Sequence, residues 1–282
     1  MSDVSSFKVG GIEVIALNDG YNQAPNALFP DHEADKAVAA AAQAGIPYDG
    51  ETVTIPVSAF VIRAGDSVVL VDSGNPPARS ETSGHFARAF EQAGIGADEI
   101  THIALTHLHI DHVGGLIDSE GKARFANAEL ICAAPDWVHF HSDEVFARAN
   151  ERGQGSIMVT RQSVAPYAEG RREVTGEAAI LPGLTMIPLP GHTPGHSGLM
   201  IEDGGEQLLI WGDTIHCETF QLAEPDWGVM FDVDIEQARA TRKAVFDRVA
   251  TDRIRIAGQH VNFSGFAFLE RAGQGYRMIR DR

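Results

Sequence analysis

The sequence predicts a layered α/β fold built as one domain over residues 1–282. Three observations carry this. Short apolar runs, among them Ile103-Ala104-Leu105 and Gln207 to Trp211, have the length of buried strands. Amphipathic helical segments, His85 to Ala93 and Gln237 to Ala250, alternate with them. The chain is long enough to bury a substantial core, and layered α/β folds of this size are commonly one unit.

Taken in order, Phe7 to Asp19 alternates apolar residues around a glycine pair and predicts a hairpin that opens a sheet. An excursion over about residues 21–50 follows, too long for a hairpin connection. Within it Asn26 to Pro30 reads as loop and the Ala-rich His32 to Ala44 as helix, with His32 a solvated loop residue. Thr52 to Ile62 and Ser67 to Val71 are two strands around a turn. Arg124 to Ala133 is a further strand, Asp136 to Asn150 a helix, and Gly153 to Gly176 a polar, mobile loop. Thr185 to Leu189, Gly198 to Ile201, Gln207 to Trp211 and Arg253 to Ala257 complete the strands, and Tyr276 to Arg282 is a final strand or a frayed end.

Lys plus Arg total 22 against 39 Asp plus Glu, a net charge of −17. That excess opposes nucleic acid phosphates and anionic membranes, and favours neutral or cationic partners. No apolar run approaches the ~20 residues that span a bilayer. The start MSDVSSFKVGG lacks a basic segment and an apolar core, which predicts a cytoplasmic address. Cys132 and Cys217 have no metal-type spacing, and in that compartment a disulfide is not expected.

The chemistry concentrates in Thr106 to Gly115, THLHIDHVGG. His107, His109, Asp111 and His112 are the ligand types for zinc and similar divalent metals. In an extended or turn conformation His107 and His109 point the same way and share one metal. Asp111 and His112 lie past the bend and aim at a second position. Gly114 and Gly115 then free the backbone to leave the site. A surface loop that happens to be rich in histidine is the bland alternative, and the density of ligands argues against it.

HLHIDH resembles the HxHxDH signature of the metallo-β-lactamase superfamily of hydrolases. PGHTPGH at Pro190 to His196, WGD at Trp211 to Asp213 and AGQH at Ala257 to His260 follow in the superfamily's order. The resemblance implies a four-layer αβ/βα sandwich with two divalent metal ions, zinc first, with manganese, cobalt or iron as alternatives. It implies that His107, His109 and His192 hold one metal, that Asp111, His112 and His260 hold the other, and that Asp213 bridges both. Water between two cations is substantially hydroxide at neutral pH, and Asp111 or Asp213 relays the proton to the leaving group. Asp72, in LVDSG, orients a metal-bound histidine by the same resemblance, against the plainer reading of a turn aspartate. His196 is expected to hydrogen-bond near the site without binding metal.

Length, the GDTIH motif and the stretch from Phe220 to Thr241 resemble the branch containing acyl-homoserine-lactone lactonases and methyl parathion hydrolase. In such relatives an N-terminal excursion covers the site, and dimers are common. The best-known lactonases place a Tyr three residues after the bridging Asp; here that position is His216, which can donate to a developing oxyanion or be merely structural. Trp137, Phe140, Phe220, Trp227 and Phe231 are candidates for an apolar pocket wall, with core packing the competing reading. The function expected is hydrolysis of a lactone, with organophosphate or aryl ester hydrolysis as the alternative. A one-iron persulfide dioxygenase, a β-lactamase and a non-catalytic binding protein are the remaining readings. The expected partner is a small neutral or apolar ester or lactone.

Overall fold

The computed structural model describes residues 2–77 and 79–280. β1 (Val4–Val9) and β2 (Ile12–Pro25) form the predicted hairpin, and β2 pairs along its whole length with β3 (Thr52–Ala64). β2 therefore runs into the first part of the excursion, through Tyr21 to Pro25. A short 3-10 turn at Asn26–Leu28 and α1 (Ala34–Ala44) follow, α1 ending at Gly45 in the left-handed conformation. β4 (Ser67–Val71) joins antiparallel. After α2 (Phe86–Gln92), β5 (His102–Ala104) joins in parallel, and the short α3 (Ile110–Val113) and β6 (Glu129–Ala133) follow. β6 is shorter than expected, because the chain from Arg124 to Ala128 is turn.

Two expectations for the next stretch are corrected. Asp136 to Asn150 is not one helix but two, α4 (Ala134–His141) and α5 (Asp143–Arg148). Ser142 is extended between them and its hydroxyl accepts from Val145 N, capping the second. Gly153 to Gly176 is not mobile loop: α6 (Glu151–Val164) occupies its first half. Asn150 caps α6 through Gly153 N, and Ile157, Thr160, Ser163 and Val164 bury one face, which outweighs the poor helix propensity of Gly153 and Gly155.

β7 (Arg172–Val174) closes a seven-stranded sheet in the order β1-β2-β3-β4-β5-β6-β7. The second sheet is built from β8 (Ala178–Leu181), β9 (Leu184–Pro188), β10 (Ser197–Asp203), β11 (Glu206–Ile210) and β12 (Arg255–Ala257), in the order β12-β11-β10-β9-β8. Between β11 and β12 run α7 (Glu218–Ala223) and α8 (Ile235–Asp252). β13 (Phe268–Ala272) and β14 (Gly275–Ile279) form a terminal hairpin.

Strand alternation explains the layers. Val14, Ala16, Phe60, Ile62, Val69 and Val71 point toward Leu184, Met186, Leu199, Ile201, Leu208 and Ile210, the core between the sheets. Their neighbours Ile15, Leu17, Ala59, Val61 and Leu70 face the opposite way onto Phe86, Phe90, Trp137, Phe140 and Ile157. On the second sheet Ile187, Leu209 and Ile256 turn outward onto Val245, Phe246 and Val249 of α8. Helices thus cover both outer faces, which is the four-layer αβ/βα sandwich. Each buried Leu, Ile or Phe contributes about 1.5–3 kcal/mol. A fourth cluster joins Leu28, Phe29, Ala37 and Ala40 of the excursion to Phe220, Trp227 and Val229. Among the described residues no helix is long and apolar enough to cross a membrane, and Cys132 and Cys217 are free and buried.

Candidate metal centre

Each chemically important side chain follows closely on the C-terminal end of a strand. Asp72 follows β4, His107 to His112 follow β5, His192 follows β9, Asp213 follows β11 and His260 follows β12. Because the two sheets pack face to face, these ends meet at one rim of the sandwich.

The ring nitrogens of three histidines converge there. His109 Nδ1 lies 3.0 Å from His107 Nε2 and 2.9 Å from His192 Nε2. Asp213 Oδ2 is 3.3 Å from His192 Nε2 and 3.6 Å from His107 Nε2. On the other side His260 Nε2 is 3.1 Å from Asp213 Oδ2 and 3.6 Å from Asp111 Oδ2. His112 Nε2 is 3.2 Å from Asp213 Oδ1. Donor atoms of His107, His109, His192 and Asp213 all lie within 4.8 Å of one another, as do those of Asp111, His112 and His260. Asp213 touches both groups: Oδ2 faces His107 and His192 of the first and His260 of the second, and Oδ1 faces His112.

This donor set fits divalent cations on its own chemistry. Facing imidazole nitrogens compete for the same protons unless a cation takes their lone pairs. His112 Nε2 and Asp213 Oδ1 are buried with no hydrogen-bond partner of good geometry, a costly state that a metal would relieve. Burial, reinforced by neighbouring imidazoles, pushes His107 and His109 well below the ordinary histidine range, which leaves them neutral, the form that can bind a cation. Burial alone would raise Asp213, but the imidazoles around it, His112 foremost, hold it well below the carboxylate range. Burial likewise opposes charge on His112, and the carboxylates of Asp213 and Asp72 outweigh it.

A buried frame holds the ligand-bearing turns. Asp72, fully buried, accepts from Thr106 N at 2.8 Å, Thr106 Oγ1 at 2.7 Å and Gln259 Nε2 at 2.6 Å, and pairs with His112 Nδ1 at 2.8 Å. It therefore orients His112 and ties the first motif to the last. His196 bonds Leu189 O through Nδ1 at 2.7 Å and accepts Asp213 N at Nε2 at 2.8 Å, with burial pushing its imidazole down to about 3. Gly212 permits that contact: a Cβ there would lie 2.3 Å from His196 Nε2. Gly114 and Gly115 serve a different purpose from the one expected. Neither has a positive φ; a Cβ would strike Pro76 N at 2.1 Å or Ser73 O at 2.2 Å, so they let the motif pack against the loop after β4.

His216 lies among the same groups, its Nε2 3.1 Å from Asp213 Oδ2 and its ring stacked 5.0 Å from that of His260. Its Nδ1 is buried and unpartnered, and burial pushes the imidazole down to about 4.

The aromatic candidates divide. Phe231 is 42% exposed and 6.4 Å from the His216 ring, beside exposed Met230 and Val233, with the Arg152 guanidinium 5.9 Å from its centroid. Phe140 presents its edge to His109 at 5.4 Å. Trp137 does not form a cleft wall: it is stacked on His141 at 4.0 Å and covered by Arg171 at 3.9 Å within the first core cluster. Phe220 and Trp227 are likewise spent in packing against Phe29. His32 does sit in the loop before α1, but it is partly buried there, bonded to Tyr48 OH at 3.0 Å and packed against Trp227.

Two carboxylates passed unnoticed in the sequence. Asp232 Oδ1 accepts from His192 Nδ1 at 2.8 Å. Asp136, read only as the start of a helix, accepts Leu108 N at 3.1 Å and Gly195 N at 2.6 Å, joining the first and second motifs. Burial pushes its carboxyl up to about 6.

The family model of the metallo-beta-lactamase superfamily matches residues 53–254, most of the chain. The chain belongs to the metallo-β-lactamase superfamily. An N-acyl homoserine lactonase of a Bacillus species is 23% identical over 217 residues, covering 70% of this chain and 79% of that one. A probable metallo-hydrolase of Mycobacterium tuberculosis is 28% identical over 179 residues, 56% of each chain. Two solved structures share the fold across the whole chain. One is AidC, a dizinc quorum-quenching lactonase solved with a product, at TM-score 0.91 and 23% identity, covering 100% of this chain and 98% of that one. The other is the hydrolase AbOPH of the β-lactamase superfamily, at TM-score 0.92 and 26% identity with the same coverage. As a superfamily member the chain is a metal-dependent hydrolase with a divalent metal centre.

Proposed function

We propose that the chain is a two-metal lactonase that opens N-acyl-homoserine lactones or related lactones. The observation that carries this is Asp213, set between two groups of ligand atoms and within 3.6 Å of members of both. Relatives named N-acyl homoserine lactonases support the substrate class. His107, His109 and His192 hold one cation, Asp111, His112 and His260 the other, and Asp213 both. The nitrogen and oxygen donors suit zinc. When bound, the cation pair supplies activation of water and polarisation of the scissile carbonyl.

The remaining work falls to the chain's own residues. Asp111 has a side chain 22% exposed, against 2% for Asp213, so it is the carboxylate that takes a proton at the cleft and passes it to the leaving alkoxide. His216, whose ring lies beside the ligand groups with Nε2 3.1 Å from Asp213 Oδ2, donates to the developing oxyanion. The exposed Met230, Phe231 and Val233 form an apolar lip beside His216 that suits an acyl chain.

The test is a panel of acyl-homoserine lactones, simple lactones, aryl esters and methyl parathion, assayed with zinc, manganese and cobalt. The reading expects kcat/KM of at least roughly 10⁴ M⁻¹s⁻¹ on one lactone. Faster turnover of methyl parathion than of every lactone would replace it with the phosphotriesterase reading.

A further inference from the structure

We propose that Arg242 of α8 is a positioning residue for His192, acting through Asp232. This rests on reading His192 as a metal ligand. Arg242 is 1% exposed, in a helix face otherwise made of Ala238, Val245, Phe246 and Val249. A buried arginine adds little stability that a well-packed apolar side chain would not, so its contacts are what need explaining. Nε donates to Thr214 O at 2.8 Å, and Nη1 donates to Pro225 O at 2.8 Å and Trp227 O at 2.9 Å. Those carbonyls belong to the two ends of the segment 214–227, which begins one residue after Asp213 and carries His216 beside it. The same guanidinium places Nη2 4.0 Å from Asp232 Oδ2.

Asp232 is the link. Its side chain is 1% exposed; Oδ2 also accepts Val229 N at 3.0 Å, and Oδ1 accepts His192 Nδ1 at 2.8 Å. A carboxylate that deep needs a nearby cation, and Arg242 supplies it. The charge on Asp232 then keeps the His192 proton on Nδ1 and its Nε2 lone pair toward His109 and Asp213. Only a forked guanidinium can serve three carbonyls and a carboxylate together; lysine keeps the charge and loses the fork.

The experiment is zinc titration of folded, metal-free protein against a chromophoric chelator, with circular dichroism recording the fold. His192→Ala tests the underlying reading alone: it should lose one of two tight zinc ions, and two retained ions would reject that reading whatever Arg242 does. With that arm in place, Arg242→Met should weaken one zinc by about 10–100-fold and leave the other unchanged, and Arg242→Lys should recover part of the loss. Combining Arg242→Met with Asp232→Asn should weaken zinc no more than Asp232→Asn alone, as expected for residues acting in series. Wild-type affinity at both sites in Arg242→Met, with only a lowered melting temperature, would overturn the proposal, and so would losses that add in the double variant. If neither Arg242 variant folds, Asp232→Asn decides. Unchanged affinity at both sites overturns the relay, and a loss confined to one site supports it.

Discussion

Replacing Asp72 with alanine is the sharpest perturbation of the frame behind the metal centre. Four polar groups converge on this one buried carboxylate: Thr106 N, Thr106 Oγ1, His112 Nδ1 and Gln259 Nε2, at 2.8, 2.7, 2.8 and 2.6 Å. Hydrogen bonds to a charged group contribute about 1.5–3 kcal/mol each, so a simple sum gives about 6–12 kcal/mol. The four share one acceptor and are not additive. Removing one partner from a buried charged network costs about 3–5 kcal/mol, and that is the range we expect for Asp72→Ala. For a chain of this size the melting temperature should fall by about 6–20 °C, at about 2–4 °C per kcal/mol. His112 also loses the group that orients its ring, which should weaken zinc on its side by about 10–100-fold. Thermal melts of metal-free protein and chelator-competition titration read the two effects separately. A fall of less than about 2 °C with unchanged zinc affinity would refute this account of Asp72.

Three further substitutions probe neighbouring claims. His216→Ala should lower kcat by about 10²–10³ with two metals retained, as for loss of one oxyanion donor; if a metal is lost by elemental analysis, His216 is a ligand, in the group it forms with Asp213 and His260. His196→Ala should cost about 2 kcal/mol in denaturant unfolding, through the lost bonds to Leu189 O and Asp213 N, with metal stoichiometry unchanged. Asp136→Asn tests a pH effect in metal-free protein. The folded-state carboxyl is raised from 3.8 to about 6 by burial, so its contribution is full below 3.8 and is lost as pH rises through about 6. Relative to the variant, wild type should lose about 3 kcal/mol across that window, and a difference flat with pH would reject it.

The parts of the site legible in the sequence are those packed into short motifs. His107, His109, Asp111 and His112 fall within six residues, and the turns carrying His192, Asp213 and His260 have recognisable glycine and proline surroundings. Strand alternation was equally readable, because Ile15 and Leu17 against Val14 and Ala16 obey a period of two. What stayed hidden depends on pairing across long stretches of chain. Asp232 is one of several acidic residues between Glu224 and Glu236, and nothing local marks it as the partner of His192 forty residues earlier. Asp136 lies in the first turn of α4, where an acidic residue is ordinary, yet it binds Gly195 fifty-nine residues away. α6 was obscured by Gly153 and Gly155; its stability comes from packing, including Thr160 Oγ1 to Leu108 O at 2.8 Å, which no propensity reports.

Elemental analysis of purified wild type and Asp213→Ala bears most directly on the central claim, that a shared carboxylate organises two cations. Two zinc or similar divalent ions per wild-type chain, with loss of metal and turnover in the variant, is the result expected. One iron per wild-type chain, or a variant that keeps both ions and near-normal activity, would contradict it.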